Sequence, residues 1–225
     1  MNNKTKIVIL ASSFSLCVLT VGADKKEDMF NPVNTAVTSQ TIAPDARAGS
    51  MGDVGAATDP DVNSQYWNPA KYPFNISRAG VSINYTPWLR QLVNDIDLAQ
   101  LVGYYRIGDY SAVSASLRYF SLGEVQLSES ENALTINPYE MSLDVAYSLM
   151  LSEKFSLAAA VRWIYSDLTY DYTDQTSPAS AFAADIACYY QNYINIGARE
   201  CQLGLGMNIS NIGSKITFGG SDRSE

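Results

Sequence analysis

The chain has 225 residues, a formal charge of -8 and no histidine. The acidic balance argues against nucleic acid as a partner, because surfaces that bind nucleic acid are basic. Without histidine, and with Cys188 and Cys201 as the only cysteines beyond Cys17, the chain cannot build a histidine-dependent catalytic triad, and a zinc site is disfavoured. We therefore expect no catalytic residues, no cofactor and no metal.

The N-terminus has the pattern of a secretory signal peptide. Lys4 and Lys6 precede an apolar stretch at 7–21, and small residues end at Ala23. This order predicts a signal peptide over residues 1–23. No later stretch reaches the length of about 18 apolar residues that indicates a membrane-spanning helix.

Residues 24–77 are rich in glycine, alanine, asparagine, aspartate and proline, and they alternate little between polar and apolar. Glycines recur at every third position at Gly49, Gly52 and Gly55, which predicts a smooth, closely packing segment. Asn68-Pro69-Ala70 is interpreted as a structural turn, since proline fixes φ and asparagine accepts turn hydrogen bonds. A ligand-binding or gating role for this tripeptide is the alternative.

From Ala79 onward the chain alternates between apolar and polar residues. The stretch Tyr139–Leu151 carries apolar residues and tyrosines on one face and polar residues on the other. This pattern is typical of a membrane β-strand with lipid on one side and a wet interior on the other. About seven such strands are predicted, at 79–86, 98–107, 110–120, 139–151, 155–165, 182–190 and 201–209.

The connections between these strands alternate in length. Long and short connections follow each other at 87–97, 108–109, 121–138, 152–154, 166–180 and 191–200. Outer-membrane barrels have this parity, with short periplasmic turns and long external loops. A soluble all-β sandwich is the alternative, but it gives no reason for connection length to follow strand parity.

Five charged residues fall on the polar face of the predicted strands and are expected to face the lumen: Arg106, Arg118, Asp144, Arg162 and Asp185. We interpret them as a buried charge network that holds the segment before the strands, because lone buried charges are costly. A channel selective for a solute is the alternative.

The two late cysteines flank the predicted turn at 191–200. Cys188 and Cys201 would lie opposite each other if that turn is centred near 193–195, and an oxidising compartment would permit a disulfide. Simple packing on the lipid face is the other interpretation.

Four ordered motifs resemble the PorV family, also called LptO, of the type IX secretion system, and its FadL-like barrels: A-R-A-G-S-M-G-D-V-G at 46–55, W-N-P-A at 67–70, Y-T-P-W-L-R at 85–90 and N-I-S-N-I-G at 208–213. The resemblance implies an all-β fold, a transmembrane antiparallel β-barrel of about 14 strands. Residues 24–77 would form an N-terminal hatch and residues 78–225 the first half of the barrel, so that the chain is an N-terminal fragment. The hatch motif would comprise Arg47, Gly49, Gly52, Gly55, Asn68, Pro69 and Ala70.

The resemblance also implies a function. Such a protein is a non-enzymatic outer-membrane component that shuttles cargo with C-terminal signal domains from the translocon to the surface attachment complex. Its partners would be the translocon and attachment-complex proteins, the secreted cargo, and outer-membrane lipid or lipopolysaccharide. Two alternatives are a FadL-like transporter of hydrophobic solutes and a lipid A deacylase.

Overall fold

A computed structural model describes residues 37–90, 95–126, 135–168, 178–197, 199–213 and 216. Seven long antiparallel strands form one half-barrel sheet, in which each strand pairs with the next long strand of the chain. This arrangement confirms the predicted all-β barrel class. The strands are β1 Ala79–Pro87, β2 Asp97–Ile107, β3 Ser111–Ser121, β6 Tyr139–Ser152, β7 Phe155–Asp167, β8 Ala179–Ile196 and β9 Arg199–Gly213. The predicted signal peptide lies outside the described residues.

Part of the connection predicted as a loop at 121–138 is ordered into a second, two-stranded sheet. Strand β4 (Val125–Gln126) pairs antiparallel with strand β5 (Thr135–Ile136). The sequence did not predict these strands, because an alternation of apolar and polar residues can be recognised only over several residues.

The seven-stranded sheet has two chemically different faces. On β6 the buried residues are Glu140, Ser142, Asp144, Ala146 and Ser148, while the odd-numbered residues between them are mostly exposed. We call the face that carries Asp144 the inner face and the face that carries Leu143 the outer face. Exposed aliphatic side chains cover the outer face, as expected where lipid is the solvent.

Aromatic residues lie near both ends of the outer face. Tyr139 and Tyr147 are eight positions apart on β6, which corresponds to about 26 Å along the strand. At the end with the long connections, the ring of Tyr139 lies 5.6 Å from that of Tyr119 and 6.0 Å from that of Tyr165. Membrane barrels likewise carry aromatic girdles at both borders of their apolar band.

The segment before β1 in the described ranges, residues 37–77, which we refer to as the hatch, consists of short helical turns and loops. It contains a 3-10 helix at Thr38–Thr41, helix α1 (Ala46–Ser50), helix α2 (Ser64–Trp67) and a 3-10 helix at Pro69–Phe74. The helices are short because glycine, proline and capping residues interrupt them. Among the described residues, no helix has the length and apolar character needed to cross a membrane.

The prediction of a turn over residues 191–200 is wrong. Strand β8 continues to Ile196 and β9 begins at Arg199, so the reversal is tight and Gly197 has a φ of 66°. Asn195, inside the predicted turn, pairs with Glu200 within the ladder.

The longer strands also rule out the disulfide that the sequence left open beside simple packing. Cys188 pairs with Met207, and Cys201 pairs with Ile194, so the two cysteines lie six residues apart along the ladder and both are free. Six residues of strand span about 20 Å. A disulfide needs Cα atoms within about 7 Å of each other.

Candidate functional site: the interface between hatch and sheet

The 3-10 helix Pro69–Phe74 begins at a fully buried asparagine. The Oδ1 atom of Asn68 accepts a hydrogen bond from the N–H of Ala70 at 3.0 Å and caps the helix. Its Nδ2 atom donates to the carbonyl oxygens of Ala56 at 2.8 Å and Cys188 at 2.9 Å. One side chain therefore joins the helix, the preceding hatch loop and strand β8.

Two serines of the sheet bind the first carbonyl groups of the same helix. The hydroxyl of Ser148 on β6 donates to the carbonyl of Pro69 at 2.7 Å, and the hydroxyl of Ser156 on β7 donates to the carbonyl of Ala70. Both serines are completely buried. Ala70 also packs in an apolar cluster with Ala158, Ala187 and Tyr189. The Asn68-Pro69-Ala70 turn is thus fixed to three neighbouring strands.

The next residue is a buried cation. The ammonium group of Lys71 donates to the carbonyl of Gly55 at 2.8 Å and to the hydroxyl of Thr58 at 3.1 Å, and the residue has no exposed surface. Both acceptors are uncharged. Burial lowers the pKa of Lys71 to about 8, although the negative charge of Asp61 opposes the shift.

Aromatic contacts complete this part of the hatch. The ring of Tyr72 stacks on that of Tyr104 of β2 with centroids 4.7 Å apart, and its hydroxyl donates to the carbonyl of Val62 at 2.8 Å. Burial raises the pKa of Tyr72 well above its usual value, so the phenol remains a neutral donor. Phe74 meets Tyr189 of β8 edge to face with centroids 5.4 Å apart.

The glycine-rich segment, residues 46–57, makes weaker contacts. Arg47 pairs with Asp61 at 2.8 Å, but 46% and 27% of the two side chains remain exposed. The three glycines differ in their surroundings. A Cβ at Gly55 would overlap the indole ring of Trp67, whereas Gly49 faces open space apart from a contact at 4.0 Å. Gly52 also faces open space, but its φ of 81° favours glycine.

Two arginines on the inner face contact the hatch at its two ends. Arg118 on β3 donates through Nη2 to the carbonyls of Ser39 and Ile42, the latter at 2.6 Å. At the other end, Arg106 on β2 donates through Nη1 to the carbonyl of Asn75 at 2.6 Å. The main-chain acceptors carry no charge, so the hatch is held by charge-assisted hydrogen bonds rather than by ion pairs.

The other three charges form a cluster within the sheet. Arg162 on β7 donates through Nε to Asp144 on β6 and through Nη2 to Asp185 on β8 at 3.0 Å. All three residues are at most 5% exposed. Asp144 also accepts a hydrogen bond from the hydroxyl of Ser116 on β3 at 3.0 Å. The cluster therefore links four neighbouring strands.

A β-bulge extends this cluster to strand β9. The register shifts between the pairs of Ala184 and Ile186, and Asn211 lies in the left-handed region with a φ of 61°. The N–H of Asn211 donates to Asp185 at 2.7 Å, and its side-chain oxygen accepts from Arg162. Asp185 thus satisfies the main-chain donor that the bulge leaves unpaired in the ladder.

The five predicted lumen charges all lie on the inner face, but the structure divides them into two groups. Arg106 and Arg118 bind the hatch, and Arg162 binds Asp144 and Asp185 across the sheet. A cavity of about 210 Å³ lies between the hatch and the sheet beside Arg162. Its lining includes Gln40, Tyr66 and Trp67 of the hatch and Arg162, Asn208 and Asn211 of the sheet. This volume has room for several water molecules, at about 30 Å³ each.

Sequence reasoning did not identify three residues that hold the hatch: Lys71, Ser148 and Ser156. Both serines were placed on the polar face, but serine is common there and nothing distinguished these two. Lys71 stands between Ala70 and Tyr72, a context that offers no sign of complete burial for a charged residue. The asparagine–proline pair was the one available signal, since it predicts a helix start.

The chain was compared with models of known protein families. The family model described as type IX secretion system protein PorV matches residues 24–224. The matched region includes the described hatch and all seven long strands. No curated protein matches the chain.

Proposed function

Because the chain belongs to the PorV family of the type IX secretion system, we propose that it is a non-enzymatic outer-membrane shuttle for secreted proteins. It binds cargo through the C-terminal signal domain at the translocon and delivers that cargo to the surface attachment complex. The family and the barrel-like sheet both indicate the outer membrane as its location. A protein secreted through this system therefore meets the chain at the outer membrane.

The observation that carries the proposal is the match of residues 24–224 to the PorV family model, and the position of the hatch on the inner face limits where cargo can bind. Asn68 joins the hatch to β8, Ser148 and Ser156 join it to β6 and β7, and Arg118 joins it to β3. A surface engaged in this way is not available to a folded cargo domain. We therefore place the cargo contact on the long connections at the rim of the sheet.

The structure of two of these connections suits a docking surface. Asp95, in the connection before β2, accepts a hydrogen bond at 2.7 Å from the N–H of Glu124 in the connection after β3. Leu122 of the second connection donates to the carbonyl of Pro138 at 3.0 Å. Loops braced against one another on a rigid sheet are common sites of recognition.

The proposal can be tested by affinity purification of the tagged full chain from outer membranes, followed by mass spectrometry of its partners. We expect type IX translocon and attachment-complex proteins together with cargo that carries C-terminal signal domains. Recovery of no secretion component, with a stoichiometric fatty acid instead, would overturn the proposal and favour the transporter.

A pair of variants locates the contact. Asp95→Ala removes the brace between the two long connections and should reduce cargo recovery. Asp109→Ala changes an exposed acidic residue in the short turn at the opposite end of the sheet and should leave recovery unchanged. Equal recovery in both variants would place the cargo contact elsewhere than these loops.

A further inference from the structure

The outer face carries an apolar trough that crosses β1, β2, β3 and β6. Its floor is a row of small side chains that are consecutive cross-strand partners, namely Val81, Gly103, Ala115 and Val145. The next row toward the long connections is made of larger side chains, namely Ile83, Leu101, Leu117 and Leu143. The trough is shallow and open to the surroundings, and its volume is about 630 Å³.

The fold does not require the smallest residue of this row. A Cβ at Gly103 would make only ordinary contacts, at 3.5 Å to the carbonyl of Gly80 and 3.6 Å to a methyl group of Val81. Gly103 is not one of the described glycines that have a positive φ, so its backbone conformation does not require glycine. Glycine weakens a strand, and at this position no turn or close approach compensates for that cost. The missing side chain of Gly103 deepens the trough.

A cation stands at the end of the trough nearest the short turns. The guanidinium of Arg78 lies 5.5 Å from the ring centroid of Tyr105, and that ring lines the trough. Arg78 is exposed, and no carboxylate of the described ranges forms an ion pair with it. The trough is therefore apolar along its length and positively charged at one end.

We propose that the trough binds an acyl chain of an anionic phospholipid and that Arg78 binds its phosphate. Methylene groups match the aliphatic floor, and a guanidinium forms two parallel hydrogen bonds with phosphate oxygens. The cation lies at an aromatic rim, the depth at which lipid phosphates lie and at which basic pockets bind anionic head groups. The proposal concerns the lipid-facing surface and does not depend on the cargo function.

The experiment is native mass spectrometry of the full chain in detergent, with phosphatidylglycerol and phosphatidylcholine offered together in equal amounts. The wild-type chain should retain about five times as much phosphatidylglycerol as phosphatidylcholine. This is about the factor that one arginine contributes to binding at an anionic lipid surface. Arg78→Gln should abolish this preference. Ala115→Leu should reduce retention of both lipids several-fold, because its side chain fills the trough.

Two control variants change the same residue types outside the trough. Arg199→Gln removes an exposed cation at the same end of the sheet, and Ala159→Leu enlarges an exposed outer-face residue of β7. Both should behave like the wild type. Equal retention of the two lipids by the wild type, or equal losses in a variant and its control, would overturn the proposal. A lipid-free dimer that Ala115→Leu dissociates would also overturn it, by showing that a second copy covers the trough.

Discussion

Two segments of the hatch show opposite relations between sequence pattern and packing. The glycine-rich segment at 46–57 has the more conspicuous sequence, yet most of it is exposed and only Ala48 and Gly55 are buried. The anchor segment, residues 64–75, has no repeat, yet Ser64, Asn68, Ala70, Lys71 and Tyr72 are all without exposed surface. In this chain the regular glycine spacing therefore marks an exposed segment, whereas single buried polar residues mark the segment that is held.

The difference has an energetic basis. An exposed ion pair such as Arg47–Asp61 contributes about 0–1 kcal/mol, because water screens it and the side chains lose freedom. A hydrogen bond such as that of Asn68 to β8 lies in a buried environment, where a lost partner leaves a polar group without water. We expect substitutions in the anchor segment to have larger effects than those in the glycine-rich segment.

The largest effect is expected for Asn68→Ala. The carbonyls of Ala56 and Cys188 would lose their donor, and each unsatisfied buried group costs about 1–3 kcal/mol. We expect a loss of about 3 kcal/mol in the free energy of unfolding, measured by urea titration of the protein folded in phospholipid vesicles. Asn195→Ala, at an exposed position of β8, is the control and should lose less than about 1 kcal/mol. Equal losses would contradict the anchoring role of Asn68.

Gly55→Ala should have the next largest effect. The added methyl group would overlap the indole of Trp67, and overpacking of this kind costs about 1–3 kcal/mol. Trp67 donates to Asp45 at 3.0 Å, so displacement of the indole should also change its fluorescence. The measurement is the free energy of unfolding together with the emission maximum. An unchanged emission maximum would show that the two segments do not pack as closely as described.

The buried ammonium of Lys71 predicts a dependence of stability on pH. Burial lowers the pKa of Lys71 to about 8 in the folded protein, while an unfolded lysine has a pKa of about 10.4. Between these values the unfolded state binds more protons, so stability rises with pH. The gain from pH 8 to pH 10 should be about 2 kcal/mol.

The measurement compares the free energy of unfolding of the wild type and Lys71→Met across this range. Subtraction cancels the titration of other groups, and Lys154→Met, which removes an exposed lysine, is the control. The difference between wild type and Lys71→Met should change with pH, and that between wild type and Lys154→Met should not. A difference that stays constant from pH 8 to pH 10 would show that Lys71 is not held in a low-dielectric environment.

The sequence predicted which face of the sheet a side chain occupies better than it predicted which residue pairs with it on the neighbouring strand. Asp144 and Arg162 were placed on the inner face because side chains alternate along any strand, whatever its neighbours. Pairing depends on where each turn lies, and a turn displaced by about three residues displaced the partner of Cys188 by about six. The bulge at Asn211 depends on Asp185 and Arg162 of other strands. The buried Lys71 depends on Gly55 and Thr58 in an earlier loop of the hatch. These contacts join residues far apart in the sequence, so local pattern could not predict them.

The smallest effects separate the remaining two glycines, which the sequence pattern treats as equivalent. Gly52→Ala should lose about 1 kcal/mol, because the φ of 81° strains any other residue. Gly49 lies inside helix α1 with open space around it. Gly49→Ala should therefore be neutral or stabilise by about 0.5 kcal/mol, since alanine favours a helix more than glycine does. Both values come from the same urea titration. A loss at Gly49→Ala as large as at Gly55→Ala would mean that the spacing of the three glycines, and not the local contact of each, determines how this segment packs.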